Sequence, residues 1–246
     1  MNHLPGRLYK LEALLRPRAA TRTTADFLKQ QRGNFQSQWA GDKSIRAKGL
    51  PLPLPRGQGL HPTGCILGAS SLSFHFRAGK DGDRPALAEF QVSISGLLEA
   101  GEATIELEDH WRIDAEGEPK VVAGQPAKEG REPHPRFHFQ RGGHAQDAFA
   151  AAQGFVPSAN TPLGKGEWRA LMQYPGPRIP SLPFDPILAI DFCIAQNDGP
   201  LWKQLRATPE YHHLIEVSQL ELWKPFIARL NEPRGRRDWL GPVVVF

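Results

Sequence analysis

A chain of 246 residues, 40% apolar and 23% charged, is long enough to bury a sizeable core and suits one large domain or two small ones. It has no apolar run near the roughly 20 residues of a membrane span, and the first residues read without the apolar stretch of a secretory signal, so none is expected. Its two cysteines, Cys65 and Cys193, are far apart and give neither a metal spacing nor a disulfide framework. The expectation is therefore a cytoplasmic protein with no membrane partner. The net charge is +4 but uneven. Residues 1–60 hold eleven Lys and Arg against three acids, a local +8 that leaves −4 on the rest. A basic segment on an acidic body points to a polyanion or acidic protein partner, or to a segment docked on its own body.

Residues 7–18 place Leu8, Leu11, Leu14 and Leu15 at helical spacing, and Pro17 stops the run. Thr24 is a candidate cap for a second helix over residues 25–39. The alternating prolines of Leu50–Pro55 forbid helix and favour an extended linker, or a segment lying over the body. From residue 61 the pattern turns to strands. Leu72, Phe74 and Phe76 alternate with Ser73, His75 and Arg77, and Phe90, Val92 and Ile94 mark the next strand. Residues 79–84 read as a hairpin turn and 96–101 as a tight connection. Residues 103–114 form a third strand, 115–133 a polar loop and 134–140 a fourth strand in an antiparallel meander. Residues 145–152 suit a short helix. Asp185-Pro186 and Thr208-Pro209 are helix starts, and Pro225 is expected to kink or end the second of these helices, with residues 226–230 as its candidate continuation. Residues 243–246 read as a possible edge strand.

The expected fold is α+β. It has a basic N-terminal helical arm with a proline-rich linker (1–60), a central antiparallel sheet (61–144) and a mainly helical region packed on that sheet (145–246).

Alternation along the third and fourth strands gathers the candidate site. Ile105, Leu107, Trp111 and Ile113 share one face. Glu106, Glu108, His110, Arg112 and Asp114 share the other. In the fourth strand Phe137 and Phe139 oppose Arg136, His138 and Gln140. Histidines transfer protons near neutral pH, and arginines hold phosphates and stabilise developing negative charge. His110 and His138 are thus candidate acid and base for metal-free phosphodiester cleavage, if strand pairing brings them to one scissile group. Arg112, Arg136, Gln140, Arg141, Gly142 and Gly143 are candidate substrate-binding residues, the glycine pair for its close backbone approach to an anion. The bland alternative is the solvated face of a half-buried sheet. A zinc reading on His134, His138, His144 and His110 fails on spacing, since residues four apart in a strand lie about 13 Å apart. Only a bend at Pro135 would rescue it, so no metal or other cofactor is expected. Asp114 is a supporting residue.

Asp191 is the other supporting residue. It sits among Ile187, Leu188, Ile190 and Ile194 on an apolar helix, so it should be buried and needs a charged or donor partner. Arg112, Arg178 or a histidine of the sheet are the candidates. His212 and His213 fall outside the apolar stripe of the last helix and read as surface residues.

Arg112-Ile113-Asp114 followed by His134-Pro135 and His138 resembles an Arg-x-Asp … His-Pro-x-x-His pattern. Several bacterial families found near toxin–antitoxin, mobile-element and phage-defence genes carry such a pattern. It is also similar to the Tyr-Asp … Pro-His-His-x-His arrangement of TumE-like toxins, with different spacing and with Gln140 where a last histidine would often stand. The resemblance spans residues 112–138. It implies a cytoplasmic bacterial protein that acts on nucleic acid, RNA before DNA, or serves a defence or toxin module. The alternative function is a non-catalytic subunit that binds a partner protein through the basic arm and the proline-rich segment.

Overall fold

The computed structural model describes residues 3–56, 65–79, 85–100, 103–115, 137–141, 166–171, 179–180, 182 and 184–230. Three helices come first: α1 (Leu4–Leu15), α2 (Arg22–Gln30) and α3 (Arg32–Asp42). Seven strands follow: β1 (Ser44–Pro51), β2 (Ile66–Ala78), β3 (Pro85–Ala100), β4 (Ala103–Ala115), β5 (Phe137–Arg141), β6 (Gly166–Leu171) and β7 (Ile179–Pro180). Three helices come last: α4 (Pro186–Asn197), α5 (Gly199–Arg206) and α6 (Pro209–Leu230). The fold is α+β, with helices packed on a largely antiparallel sheet.

The sheet runs β1-β2-β3-β4-β5-β7, each neighbour antiparallel. β6 is the exception. It pairs parallel with β4 over Ala103–Glu108, below the stretch that β5 occupies. Alternation divides the sheet cleanly. Leu72, Phe74, Phe76, Phe90, Val92, Trp111 and Ile113 face the helices and are buried. Phe192 of α4 stands edge-on to Trp111 at 5.6 Å and packs with Phe139 and Phe184, which fixes the helical layer to this face.

The N-terminal helices belong to the same core. Leu4, Leu8, Leu11 and Leu15 of α1, Leu28 of α2 and Phe35 and Trp39 of α3 join one apolar cluster with the sheet and α4–α6. Their cations are largely used internally. Glu12 takes ion pairs from Arg16 and Arg32, and Arg16 also reaches Asp26 at 2.9 Å. The buried Arg7 meets Glu221 at 3.0 Å, Arg18 donates to Thr208 Oγ1, and Arg56 pairs with Asp198. Five of the segment's eleven cations are thus engaged within the fold, and of these Arg7 and Arg56 pair with acids outside the segment and so offset part of its +8.

Several boundaries differ from the sequence expectation. The long second helix is two, α2 and α3, hinged at Gln31. Thr24 lies inside α2 and donates to the Pro51 carbonyl at 2.7 Å instead of capping. The proline-rich stretch lies over the body. Leu50 ends within β1, Leu52 N donates to Ser70 O at 2.8 Å, and Asn197 Nδ2 donates to Pro53 O at 2.8 Å. β3 does not break at Gly96 but runs to Ala100, which pairs with Ala103. Asp185 caps α4 by accepting from Leu188 N at 2.8 Å. α5 was not anticipated, although Asp198-Gly199-Pro200 is the same start signal and Asp198 accepts from Leu201 N at 3.0 Å. α6 runs past Pro225 to Leu230, which agrees with the expected continuation over residues 226–230. Of the expected turn at 79–84 and loop at 115–133 only the first residue of each is described, and the helix at 145–152 and strand at 243–246 lie outside the described residues.

Gly96 marks a close approach beside the bulge in β2, where the register shifts between Leu67 and Ala69. A Cβ on Gly96 would stand 2.7 Å from Cys65 Sγ and 2.8 Å from the Ile66 carbonyl oxygen. A thiol rotates away cheaply; a sheet carbonyl does not. Gly96→Ala is expected to cost about 1–3 kcal/mol in a urea melt, the usual range for overpacking. An unchanged midpoint would show that the bulge absorbs the methyl.

Candidate functional site

On the face turned away from the helices, the register stacks polar residues in rows. One row crosses five strands: Arg46 opposite His75, His75 opposite Glu89, Glu89 opposite Asp114, and Asp114 opposite His138. The next row is Ser73, Gln91, Arg112 and Gln140, and the one after it carries Ser71, Ser93 and His110. Rows two residues apart lie about 6.6 Å apart along a strand.

A pocket of about 420 Å³ opens over these rows. His75, Glu89, Gln91, His110, Arg112 and Asp114 line it with Ser73. The volume is in the range of pockets that hold small organic ligands. The side chains are mixed in sign, so the pocket is polar without being strongly basic.

A tight polar group at its wall centres on Asp114, which is 8% exposed. Arg112 Nη2 donates to Asp114 Oδ2, and His138 Nε2 lies 2.8 Å from Asp114 Oδ1. Burial pushes the Asp114 carboxyl up, but His138 and Arg112 outweigh it and hold the group below the ordinary carboxylate range. At the other end of the row Arg46 Nε donates to His75 Nε2 at 2.8 Å. Burial and the Arg46 charge lower the His75 pKa.

Of the candidate residues, His110, Arg112, Asp114, His138 and Gln140 share the polar face, as alternation implies. Yet His110 and His138 do not meet. His138 is registered on Asp114, four residues along β4 from His110, a separation of about 13 Å along the strand. The expected two-histidine acid–base pair on a single scissile group is therefore not assembled by strand pairing. Arg141 sits in β5 opposite Trp111 and is not in the following turn. Arg136, Gly142, Gly143, His134 and His144 lie outside the described residues. Among the described residues no group of three or more His, Cys, Asp or Glu side chains is placed to hold a metal ion.

Asp191 lies on the opposite side of the sheet, in α4, next to Phe192 and its aromatic neighbours. It is buried as expected, but the expected partners are corrected. Its cation is Arg206 of α5, which donates from Nε to Oδ1 at 3.1 Å and from Nη2 to Oδ2 at 2.7 Å. Trp202 Nε1 donates at 3.0 Å and the Tyr211 hydroxyl at 3.1 Å. The carboxylate thereby ties α4 to α5 and α6 and has no part in the polar pocket. Burial of Tyr211 itself, followed by the Asp191 charge and hydrogen bond, raises the Tyr211 pKa well above the ordinary phenol value. His212 and His213 are exposed, as expected.

The residues sequence reasoning missed are Arg46, His75, Glu89 and Gln91. His75 stood on a clear alternating strand, but nothing in sequence linked it to His110. Arg46 belongs to a strand that was not anticipated at all.

No protein-family model, curated protein or solved structure matches the chain. No helix among the described residues is long and apolar enough to cross a membrane.

Two outcomes follow from these contacts. Asp191→Ala is expected to cost about 3–5 kcal/mol in a denaturant melt, because it strands the Arg206 guanidinium. A loss under about 0.5 kcal/mol would show that the cluster is not buried in solution. For Asp114, a folded-state pKa below the unfolded value means its contribution is present above the unfolded pKa of about 3.9. It is lost as pH falls through the lower folded value. Asp114→Asn should therefore flatten the acid limb of Tm against pH below about pH 4. Superimposable acid limbs would contradict the pairing with Arg112 and His138.

Proposed function

We propose that the polar face of the sheet binds phosphate groups of a nucleic acid, RNA before DNA, as part of a bacterial defence or toxin-type module. The pocket carries this reading, because it brings Arg112, His110, Gln91, Ser73 and His75 together on one open face, beside the carboxylates Glu89 and Asp114. A guanidinium has five N–H donors, and Asp114 engages Nη2, so the rest of the fork is suited to an oxyanion. Ser73 and Gln91 add neutral hydrogen bonds that order a ligand without adding charge. The resemblance across residues 112–138 to toxin- and defence-associated families supports the same reading.

Binding is better supported than cleavage. A ribonuclease of the two-histidine type needs both imidazoles at one phosphate, and the register spreads His110 and His138 over two rows. A hydrolytic form would have to work with one histidine per phosphate, with His138 oriented by Asp114.

The segment 1–59 contributes less to affinity than its composition implies, since Arg7, Arg16, Arg18, Arg32 and Arg56 are engaged within the fold. Deleting it would remove Leu4, Leu8, Leu11 and Phe35 from the core and so unfold the chain.

The partner-protein reading loses part of its surface, because Leu50 and Leu52 are buried and only Leu54 of that stretch is exposed. It gains another one. Leu220 and Ile227 of α6 are seven residues apart, hence on one side of the helix, and are 54% and 46% exposed.

Fluorescence anisotropy with labelled single-stranded RNA tests the proposal. The wild type should bind, with log Kd depending on log salt. Arg112→Gln should weaken binding about 10- to 100-fold, the size of a lost charge-assisted contact, and lower the salt slope by about one. Wild-type protein that binds neither RNA nor DNA at low salt would overturn the reading. Binding that Arg112→Gln leaves unchanged would move it to another surface.

A further inference from the structure

The hydrogen bond from Arg46 to His75 has a defined polarity. Arg46 Nε can only donate, so His75 Nε2 must accept and carry no proton. The imidazole is then neutral, with its proton on Nδ1. That nitrogen faces Glu89, whose Oε2 is 3.9 Å away. Arg46 is itself fixed at its backbone, where its N–H donates to Gln38 Oε1 at 2.7 Å. His75 and Glu89 both line the pocket, and Arg46 stands beside them in the same row.

We infer that His75 is a protonation switch on this pocket. Neutral, it keeps Arg46 as a hydrogen-bond partner; protonated, it releases Arg46 to an anion and turns its charge toward Glu89. The inference rests on the reading that the pocket takes a phosphate-bearing ligand.

The chemistry follows from proton bookkeeping. When Nε2 takes a proton, two donors face each other and the Arg46 bond is lost. The imidazolium retains Nδ1–H toward the Glu89 carboxylate and offsets its charge. The pocket then presents one more cation and one less uncompensated anion. Four charged groups act on His75, with Arg112 and Asp114 further along the same pocket. Arg46 from β1 and Arg77 from its own strand oppose protonation; Glu89 from β3 and Asp42 at the end of α3 favour it. Burial and Arg46 prevail, so the neutral form is the resting state near neutral pH. Anion affinity should then rise as pH falls through the His75 pKa, and by linkage a bound anion should raise that pKa.

The decisive experiment pairs a ligand titration with a ligand-free one. A short fluorescein-labelled oligouridylate is the probe, because its phosphodiesters do not titrate near neutrality. Wild-type affinity should rise about tenfold from about pH 8 to about pH 5, the size of one added charge-assisted contact. In His75→Gln, whose side-chain oxygen can still accept from Arg46 but does not titrate, most of that rise should vanish. Without ligand, nitrogen NMR should find the neutral His75 proton on Nδ1, and Arg46→Ala should raise the His75 pKa. A proton on Nε2, a pKa indifferent to Arg46→Ala, or a full pH response in His75→Gln would each overturn the switch. Wild-type protein that binds no probe at any pH would instead overturn the phosphate-binding reading, and the NMR titration would still decide whether the Arg46–His75 exchange exists.

Discussion

Strand alternation, kept in phase across the polar rows of β1–β5, is the constraint on which the rest of the structure depends. A strand sends its side chains alternately to two faces, and a slip of one residue exchanges them all. Here Phe74, Phe90 and Trp111 are buried in one core with the helices, Phe74 against Phe35 and Trp111 against Phe192. Once they are, His75, Gln91, Arg112 and His138 have no choice of face. The polar pocket is the necessary reverse side of the hydrophobic core. Its rows are set by the same pairings that align the aromatic rings. The direct opposition of Glu89 and Asp114 shows the tension in that arrangement, since like charges across an antiparallel pair repel. Each carboxylate has a histidine on its outer side, and Asp114 has Arg112 as well.

The helical layer is held by a few buried polar contacts set into an apolar packing. Asp191 collects Arg206, Trp202 and Tyr211, and so joins three C-terminal helices at one carboxylate. Glu12 joins α1 to α3 through Arg32, and Arg16, shared between Glu12 and Asp26, extends the link to α2. Asn197 holds the proline-rich segment by donating to Pro53 O and to Ser70 Oγ at 2.9 Å. Such groups add specificity more than net stability, because their desolvation offsets much of their attraction. They also explain why a segment rich in arginine is not a free basic arm. Its charges were recruited to fix where the N-terminal helices sit.

How much was legible in sequence follows from the range of each signal. Alternation is local, so the faces of β2, β3 and β4 and the membership of His110, Arg112, Asp114 and His138 could be read directly. The Asp185-Pro186 start was legible for the same reason, since a cap involves neighbours three residues apart. Register is not local. That His138 meets Asp114 and lies two rows from His110 depends on how β5 docks, and no residue pattern in β4 encodes it. β1 was illegible because Arg46, Ala47, Lys48 and Gly49 show no apolar alternation; only its edge position and the helices beside it make it a strand. Asp191 was recognisable as buried from its apolar neighbours. Its partner was not, because Arg206 belongs to α5, a helix of eight residues whose apolar stripe is short.

The central claim is that one register places His138 on Asp114 and so defines the polar face. A double-mutant cycle with Asp114→Asn and His138→Ala, read by denaturant unfolding, tests it most directly. The pairing predicts a coupling energy of about 0.5–3 kcal/mol, as found for groups in direct contact. Additivity within about 0.3 kcal/mol would mean that the two side chains do not touch, and the register, with the pocket built on it, would be contradicted.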